Sequence, residues 1–97
     1  MPALSREELK QRVLEIVENA SQMNKAAFYS DPYVERLVED LQKRWAQSNY
    51  EGEPIDYATD EELEELYRLA LEYANMPEWK AYKIFIERTE GRGDRRG

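Results

Sequence analysis

Residues 51–65 carry the densest group of side chains that could do chemistry. The stretch reads EGEPIDYATDEELEE and holds eight carboxylates in fifteen positions, with no lysine or arginine among them. Clustered carboxylates can bind a hard cation such as calcium, exchange protons with a substrate, or attract a basic partner. The spacing of the acids therefore has to decide among a metal site, an active site and a binding surface.

The spacing favours neither a calcium loop nor a catalytic pair. A calcium loop of the EF-hand type needs alternating acids before a glycine at its sixth position, and Gly52 has too few acids before it. Nothing in the spacing places two of the acids in one cleft, and a helical domain this small seldom has room for a catalytic cleft. Because the chain has no cysteine and no histidine, thiolate nucleophiles, zinc–sulfur sites and the commonest general base are excluded. We therefore expect no enzyme activity, no cofactor and no metal.

Helix formation explains part of the acidic stretch. Thr59-Asp60-Glu61-Glu62 fits a capping box, and acids in a first helical turn are stabilised by the helix dipole. Helix formation does not explain the other acids, which lie in and beside the connection before Thr59. Two tyrosines flank the acids of that connection. The predicted partner-binding residues are Tyr50, Glu51, Glu53, Asp56, Tyr57, Glu61 and Glu65.

Two interpretations of these residues stay open at this point. The acids can form an ordinary solvated surface, with Tyr50 and Tyr57 holding the loop against the core. Alternatively, exposed tyrosines beside acids suit a partner that is basic and partly apolar. The predicted function is a non-enzymatic protein–protein interaction or adaptor module that binds a basic partner through this acidic, tyrosine-flanked surface.

The C-terminal segment has the opposite charge and supports two alternatives. Its basic residues are interleaved with Trp79, Tyr82 and Phe85, a combination that can contact nucleic acid. These aromatics also have the helical spacing of core residues, and a net charge of −7 repels polyanions. The other alternative is self-association, either between this segment and the acidic loop of a second copy or between apolar helix faces across a twofold axis. The candidate nucleic-acid or tail contacts are Arg88, Arg92, Arg95 and Arg96.

Hydrophobic periodicity and capping signals predict the helices that position these residues. Ser5-Arg6-Glu7-Glu8 fits a capping box that starts a first helix. Its apolar stripe recurs at spacings of three and four, and a continuation through Met23 and Ala27 stays open. The stripe consists of Leu9, Val13, Ile16, Val17 and Ala20. Asp31-Pro32 is typical of a second helix start, and this helix should end near Ser48-Asn49.

A third and a fourth helix follow a connection of about ten residues. The third begins at Thr59 and closes at Asn75-Met76-Pro77, because proline disfavours helical geometry in the residue before it. The fourth runs from Pro77 to about Thr89. We expect Trp79, Tyr82 and Ile86 to face the core, with Phe85 as a further candidate for the same side. Alternating apolar residues over 82–87 also fit a short strand, but no second strand candidate could pair with it.

The sequence thus predicts a small all-α, four-helix bundle-like domain over residues 1–90, followed by a polar, flexible tail at 91–97 with several charges. The start of the chain has charges by position 6 and no apolar signal core. The longest apolar runs are far shorter than the ~20 residues that span a bilayer. We expect a cytoplasmic protein that makes no membrane contact.

Overall fold

A computed structural model describes the backbone of residues 4–94 and the side chains as far as residue 90. Within that range the chain forms five α-helices and a short 3-10 helix, with no strand. The all-α prediction is therefore confirmed, and the strand alternative for residues 82–87 is excluded. The elements are α1 Arg6–Asn19, α2 Gln22–Ser30, α3 Pro32–Gln47, the 3-10 helix Pro54–Tyr57, α4 Asp60–Asn75 and α5 Glu78–Asp94.

The helix starts lie where the capping signals predict them. Ser5 accepts a hydrogen bond from the Glu8 amide, and Thr59 accepts one from the Glu62 amide, each within a complete capping box. Asp31 accepts from the amides of Tyr33 and Val34 at the start of α3. Each cap satisfies amides that have no partner within their own helix.

The N-terminal apolar stripe does not continue as one helix. The backbone is extended at Ala20 and Ser21, and the Ser21 hydroxyl accepts from the Asn24 amide to start α2. Serine competes for backbone hydrogen bonds in helix interiors and favours caps, which explains the break. Between residues 4 and 94, five α-helices therefore replace the four that the periodicity predicts.

Helix α5 differs from the prediction in length and in orientation. Its backbone is helical to Asp94, past the expected end near Thr89, and residues 95–97 of the expected tail lie outside the described residues. The expectation that Trp79 and Tyr82 are core residues is wrong, since their side chains are 68% and 55% exposed. Helix α5 packs chiefly on α2, and of its described side chains only Ala81 is fully buried.

The core lies where α4 meets α1 and α2. Helix α4 contributes more of the buried side chains than any other described helix, while α1 and α3 contribute one edge of their apolar stripes. Burial of this apolar surface is the main force that holds the helices together. The buried apolar residues are Leu9, Val13, Ala27, Phe28, Val34, Leu37, Leu41, Ala58, Leu63, Leu66, Leu69, Ala70, Tyr73 and Ala81.

Two polar side chains fasten α2 to the C-terminal half of the chain. The buried Asn24 donates from Nδ2 to the carbonyls of Tyr73 at 2.7 Å and Met76 at 2.9 Å, which lie at the end of α4. Arg88 of α5 donates to the Ala27 carbonyl at 3.0 Å and to the Tyr73 hydroxyl at 2.7 Å. Both residues supply partners to polar groups that burial removes from water.

Candidate partner-binding surface

The loop between α3 and α4 is held in one conformation by a side chain of α3 and by one of its own. Trp45 Nε1 donates to the Gly52 carbonyl at 3.0 Å, and the Tyr57 hydroxyl donates to the Glu51 carbonyl at 2.6 Å. Gly52 has a φ of +73°, which a residue with a Cβ adopts only at a cost. The loop is therefore a preformed surface rather than a free connection.

Asp56 is engaged inside the protein. Its carboxylate lies 2.6 Å from Lys10 Nζ and accepts from the Glu53 amide at 2.9 Å. The hydrogen bond from Lys10 and then that backbone bond lower the pKa of Asp56, while the bond to Asp56 raises the pKa of Lys10. The Asp56 charge is thus largely compensated by α1.

A second ion pair joins α3 to the start of α4. Arg44 binds both carboxylate oxygens of Glu62, at 2.8 and 3.0 Å, and also donates to the Tyr57 carbonyl at 2.9 Å. The Arg44 hydrogen bond is the main reason why the pKa of Glu62 falls to about 2. A bidentate guanidinium pair of this kind fixes geometry as well as charge.

The predicted acids separate into an engaged group and an exposed group. Glu65 pairs with Arg68 on the outer face of α4. Glu53 lies 3.7 Å from Lys10, with 65% of its side chain exposed. Glu51 and Glu61 are exposed, and within the described residues their carboxylates make no hydrogen bond or ion pair. The acidic surface is therefore smaller than the number of carboxylates in the sequence indicates.

The two flanking tyrosines have different environments. Tyr57 is half-buried against the core and holds the loop closed through its hydroxyl. Tyr50 is 64% exposed, and its ring meets the Trp45 ring edge-on with centroids 5.0 Å apart. Tyr57 thus stabilises the loop, whereas Tyr50 presents an aromatic side chain to solvent.

The basic candidates cannot act as one strip within the described residues. Arg88 is turned inward, bonded to α2 and to Tyr73, with its guanidinium 5.6 Å from the centre of the Tyr73 ring. Only the backbone of Arg92 is described, and Arg95 and Arg96 lie outside the described residues.

An apolar groove that the sequence patterns did not reveal lies between α1 and α3. Helix α1 packs mainly on α4, whereas α3 packs mainly on the 3-10 helix and on α2, which leaves a gap of about 520 Å³ between them. Phe28 of α2 and Leu66 of α4 are among the buried residues that line it, while Leu14 and Tyr29 are 41% and 51% exposed. The other lining residues are Val13, Val17, Val34, Val38, Leu41, Gln42, Glu53, Pro54 and Ile55.

Acidic residues flank this groove on both of its helical walls. Glu18 follows the lining residue Leu14 by four positions on α1, and Glu39 precedes the lining residue Gln42 by three on α3. Side chains at these spacings share a helix face, so both exposed acids lie beside the opening. Glu35, three positions before Val38, adds another acid. Of the basic residues at equivalent spacings, Lys10 and Arg44 are already paired, with Asp56 and Glu62, and Lys25 precedes Tyr29 on α2.

The predicted loop and the groove meet at one place. Glu53, Pro54 and Ile55 belong to the loop and also line the groove. By contrast, Glu65 lies near Tyr33, whose pKa is raised chiefly by burial and then by the charges of Glu62 and Glu65. Helical periodicity places Tyr33 on a different side of α3 from Val38. The groove and the loop form one continuous surface, and Glu65 does not belong to it.

Comparison with known proteins found no match: no protein family, curated protein or solved structure matches the chain. No helix within the described residues is long and apolar enough to cross a bilayer. The described acids include no group of three or more that is placed to hold a metal ion.

Proposed function

We propose that the protein is a non-enzymatic interaction module that binds a basic, amphipathic helix of a partner protein in the groove between α1 and α3. The observation that carries the proposal is an open, apolar-lined groove with carboxylates along both walls. This retains the basic partner predicted from the sequence and moves its main contact from the loop to the groove. Glu51, Glu53 and Tyr50 then lie at the loop end of the same surface.

A helix suits the groove because α1 and α3 already present one edge of their apolar stripes to it. An α-helix with its side chains is about 10 Å across and inserts apolar residues at spacings of three, four and seven. A helix laid between α1 and α3 would cover Leu14 and Tyr29 and extend the bundle. Lysines or arginines on its flanks would then lie opposite Glu18 and Glu39, which would steer encounter and set orientation.

A small apolar ligand is the competing occupant. Sites for such ligands usually contain a few polar groups that converge on the ligand and fix its orientation. Here the polar lining residues are Gln42, on the outer side of α3, and Glu53, in the loop. The lining is otherwise aliphatic or aromatic. The acidic flanks also have no role with an uncharged ligand, so we favour the helix.

A synthetic peptide of about 18 residues, with leucines on one helical face and lysines on the other, is a direct probe of this proposal. We expect saturable binding that weakens with added salt, because part of the attraction is between charges. A peptide of the same composition, scrambled to destroy the apolar stripe, serves as the control and should bind far more weakly.

Two exposed leucines provide matched variants of the protein. Leu14 lines the groove and is 41% exposed, while Leu71 lies outside it and is 38% exposed. Leu14→Arg should weaken peptide binding by about tenfold or more through lost apolar contact and charge repulsion, whereas Leu71→Arg should leave it unchanged. Equal effects of the two variants, or equal binding of the scrambled peptide, would reject the groove as the binding site. Saturable uptake of a small apolar dye without any peptide binding would assign the groove to a small ligand.

A further inference from the structure

The outer face of α5 is an apolar strip that nothing in the described chain covers. Trp79, at 68% exposed, is the most exposed large apolar side chain in the described residues, and Tyr82 is 55% exposed. Ile86, four positions after Tyr82, continues the strip as a half-buried residue. The opposite side of the helix, which holds Ala81 and Arg88, packs on α2. This strip is separate from the groove between α1 and α3.

A row of four charges runs beside the strip. Lys80, Lys83, Glu87 and Glu90 are spaced by three, four and three residues, so they follow one side of the helix. Each of the first three lies one position after a residue of the strip. None of the four forms an ion pair among the described side chains, so their charges are available to a partner.

The sign of these charges reverses about a midpoint near residue 85. Lys80 and Glu90 are equally far from that point, and so are Lys83 and Glu87. When two identical helices pack antiparallel about a twofold axis, the same side of each helix meets its counterpart with the direction reversed. Lys80 then lies opposite Glu90 of the second copy, and Lys83 lies opposite Glu87 of the second copy.

From this complementarity we infer that α5 is the contact of an isologous homodimer, in which two copies pair antiparallel through Trp79, Tyr82 and Ile86. Tyr82 of one copy lies beside Ile86 of the other near the twofold axis. Parallel pairing is disfavoured because it places the two charged rows on opposite flanks of the contact, where Lys80 and Lys83 cannot pair with Glu87 and Glu90 of the second copy. Nucleic acid is disfavoured because Glu87 and Glu90 would repel its phosphates. A single helix pair is a small contact, so the dimer should be weak and reversible.

Sedimentation velocity over a wide range of protein concentrations tests this dimer. The wild type should move from monomer to dimer as its concentration rises. Lys80→Glu combined with Lys83→Glu makes the row uniformly acidic and should weaken the dimer by about tenfold or more. Adding Glu87→Lys and Glu90→Lys reverses every charge, retains the net charge of the wild type, and should restore dimerisation to near the wild-type level. All four side chains are outside the core, so circular dichroism should report an unchanged fold for each variant.

Cysteine cross-linking tests the antiparallel register, since the chain contains no cysteine of its own. A mixture of Lys83→Cys and Glu87→Cys should form the mixed disulfide in preference to either symmetric one. Preferential self-linking of Lys83→Cys or of Glu87→Cys would place the twofold axis away from residue 85 and overturn the inference. A wild type that stays monomeric at every concentration would also overturn it. So would a dimer that dissociates in Leu14→Arg, if the fourfold charge swap also fails to restore dimerisation to the acidic variant. These outcomes are independent of peptide binding to the groove.

Discussion

Replacing Glu62 by glutamine should show how much one ion pair contributes to the stability of this protein and how that contribution is lost in acid. Glu62 accepts two hydrogen bonds from Arg44 and one from the Thr59 amide at 2.8 Å, and 22% of its side chain is exposed. Glutamine keeps the shape and one carbonyl acceptor but removes the charge. The comparison therefore isolates the effect of ionisation.

The magnitude follows from the shift in pKa between the unfolded and the folded protein. The pKa of Glu62 falls from 4.5 to about 2 on folding. At ~1.4 kcal/mol per unit, ionised Glu62 contributes about 3 kcal/mol to the free energy of unfolding. Because the folded pKa is the lower one, this contribution is complete above about pH 4.5 and is lost as the pH falls towards about 2.

Urea unfolding of the wild type and Glu62→Gln at two pH values is the assay. We expect the variant to be less stable by about 3 kcal/mol near pH 7, and by only about 1 kcal/mol near pH 3, where the charge contributes less. Glu64→Gln is the matched control, because Glu64 is exposed and has no ion pair among the described side chains. This control should change stability by less than about 0.5 kcal/mol. A gap between wild type and Glu62→Gln that does not depend on pH would refute the reasoning.

Three further substitutions test the contacts that shape the fold. Asn24→Ala should lower the free energy of unfolding by about 2–4 kcal/mol in urea titrations, because two carbonyls at the end of α4 lose their donor. Gly52→Ala should cost about 1–2 kcal/mol by the same assay, since the new Cβ would adopt a φ of +73° and lie 2.9 Å from an Asp56 oxygen. Arg88→Met should cost about 2 kcal/mol and speed amide hydrogen exchange in α5 more than in α1, since it removes donors that tie α5 to α2.

The sequence predicted those features of the fold that depend on neighbours along the chain. The caps at Ser5, Asp31 and Thr59 depend on residues at most three positions away, so spacing alone identifies them. The proline corner before α5 is equally local. Ser21 leaves the end of the first helix open in the sequence because serine is a good cap, but the apolar stripe continues across it, so spacing alone does not place the break between α1 and α2.

Features that depend on distant pairing could not be predicted. Asp56 is compensated by Lys10, which is 46 positions away, and no spacing rule connects the two. Periodicity assigns Val17 and Val38 to the apolar faces of their helices but does not show that they line a gap. Nor does it show which side of α5 meets α2, and for that reason the helical spacing wrongly predicts Trp79 and Tyr82 in the core. The position of the candidate site depends on how the helices pack on one another, and the sequence pattern does not specify that packing.

Mapping the bound peptide on the protein tests the central claim most directly. In nuclear magnetic resonance spectra of the amide groups, titration with the leucine–lysine peptide should shift signals from Leu14, Val17, Val38 and Ile55 together. Signals from Leu71 and from the outer face of α5 should stay in place. Shifts confined to the acidic start of α4, or spread evenly over the surface without saturation, would contradict a helix-binding groove.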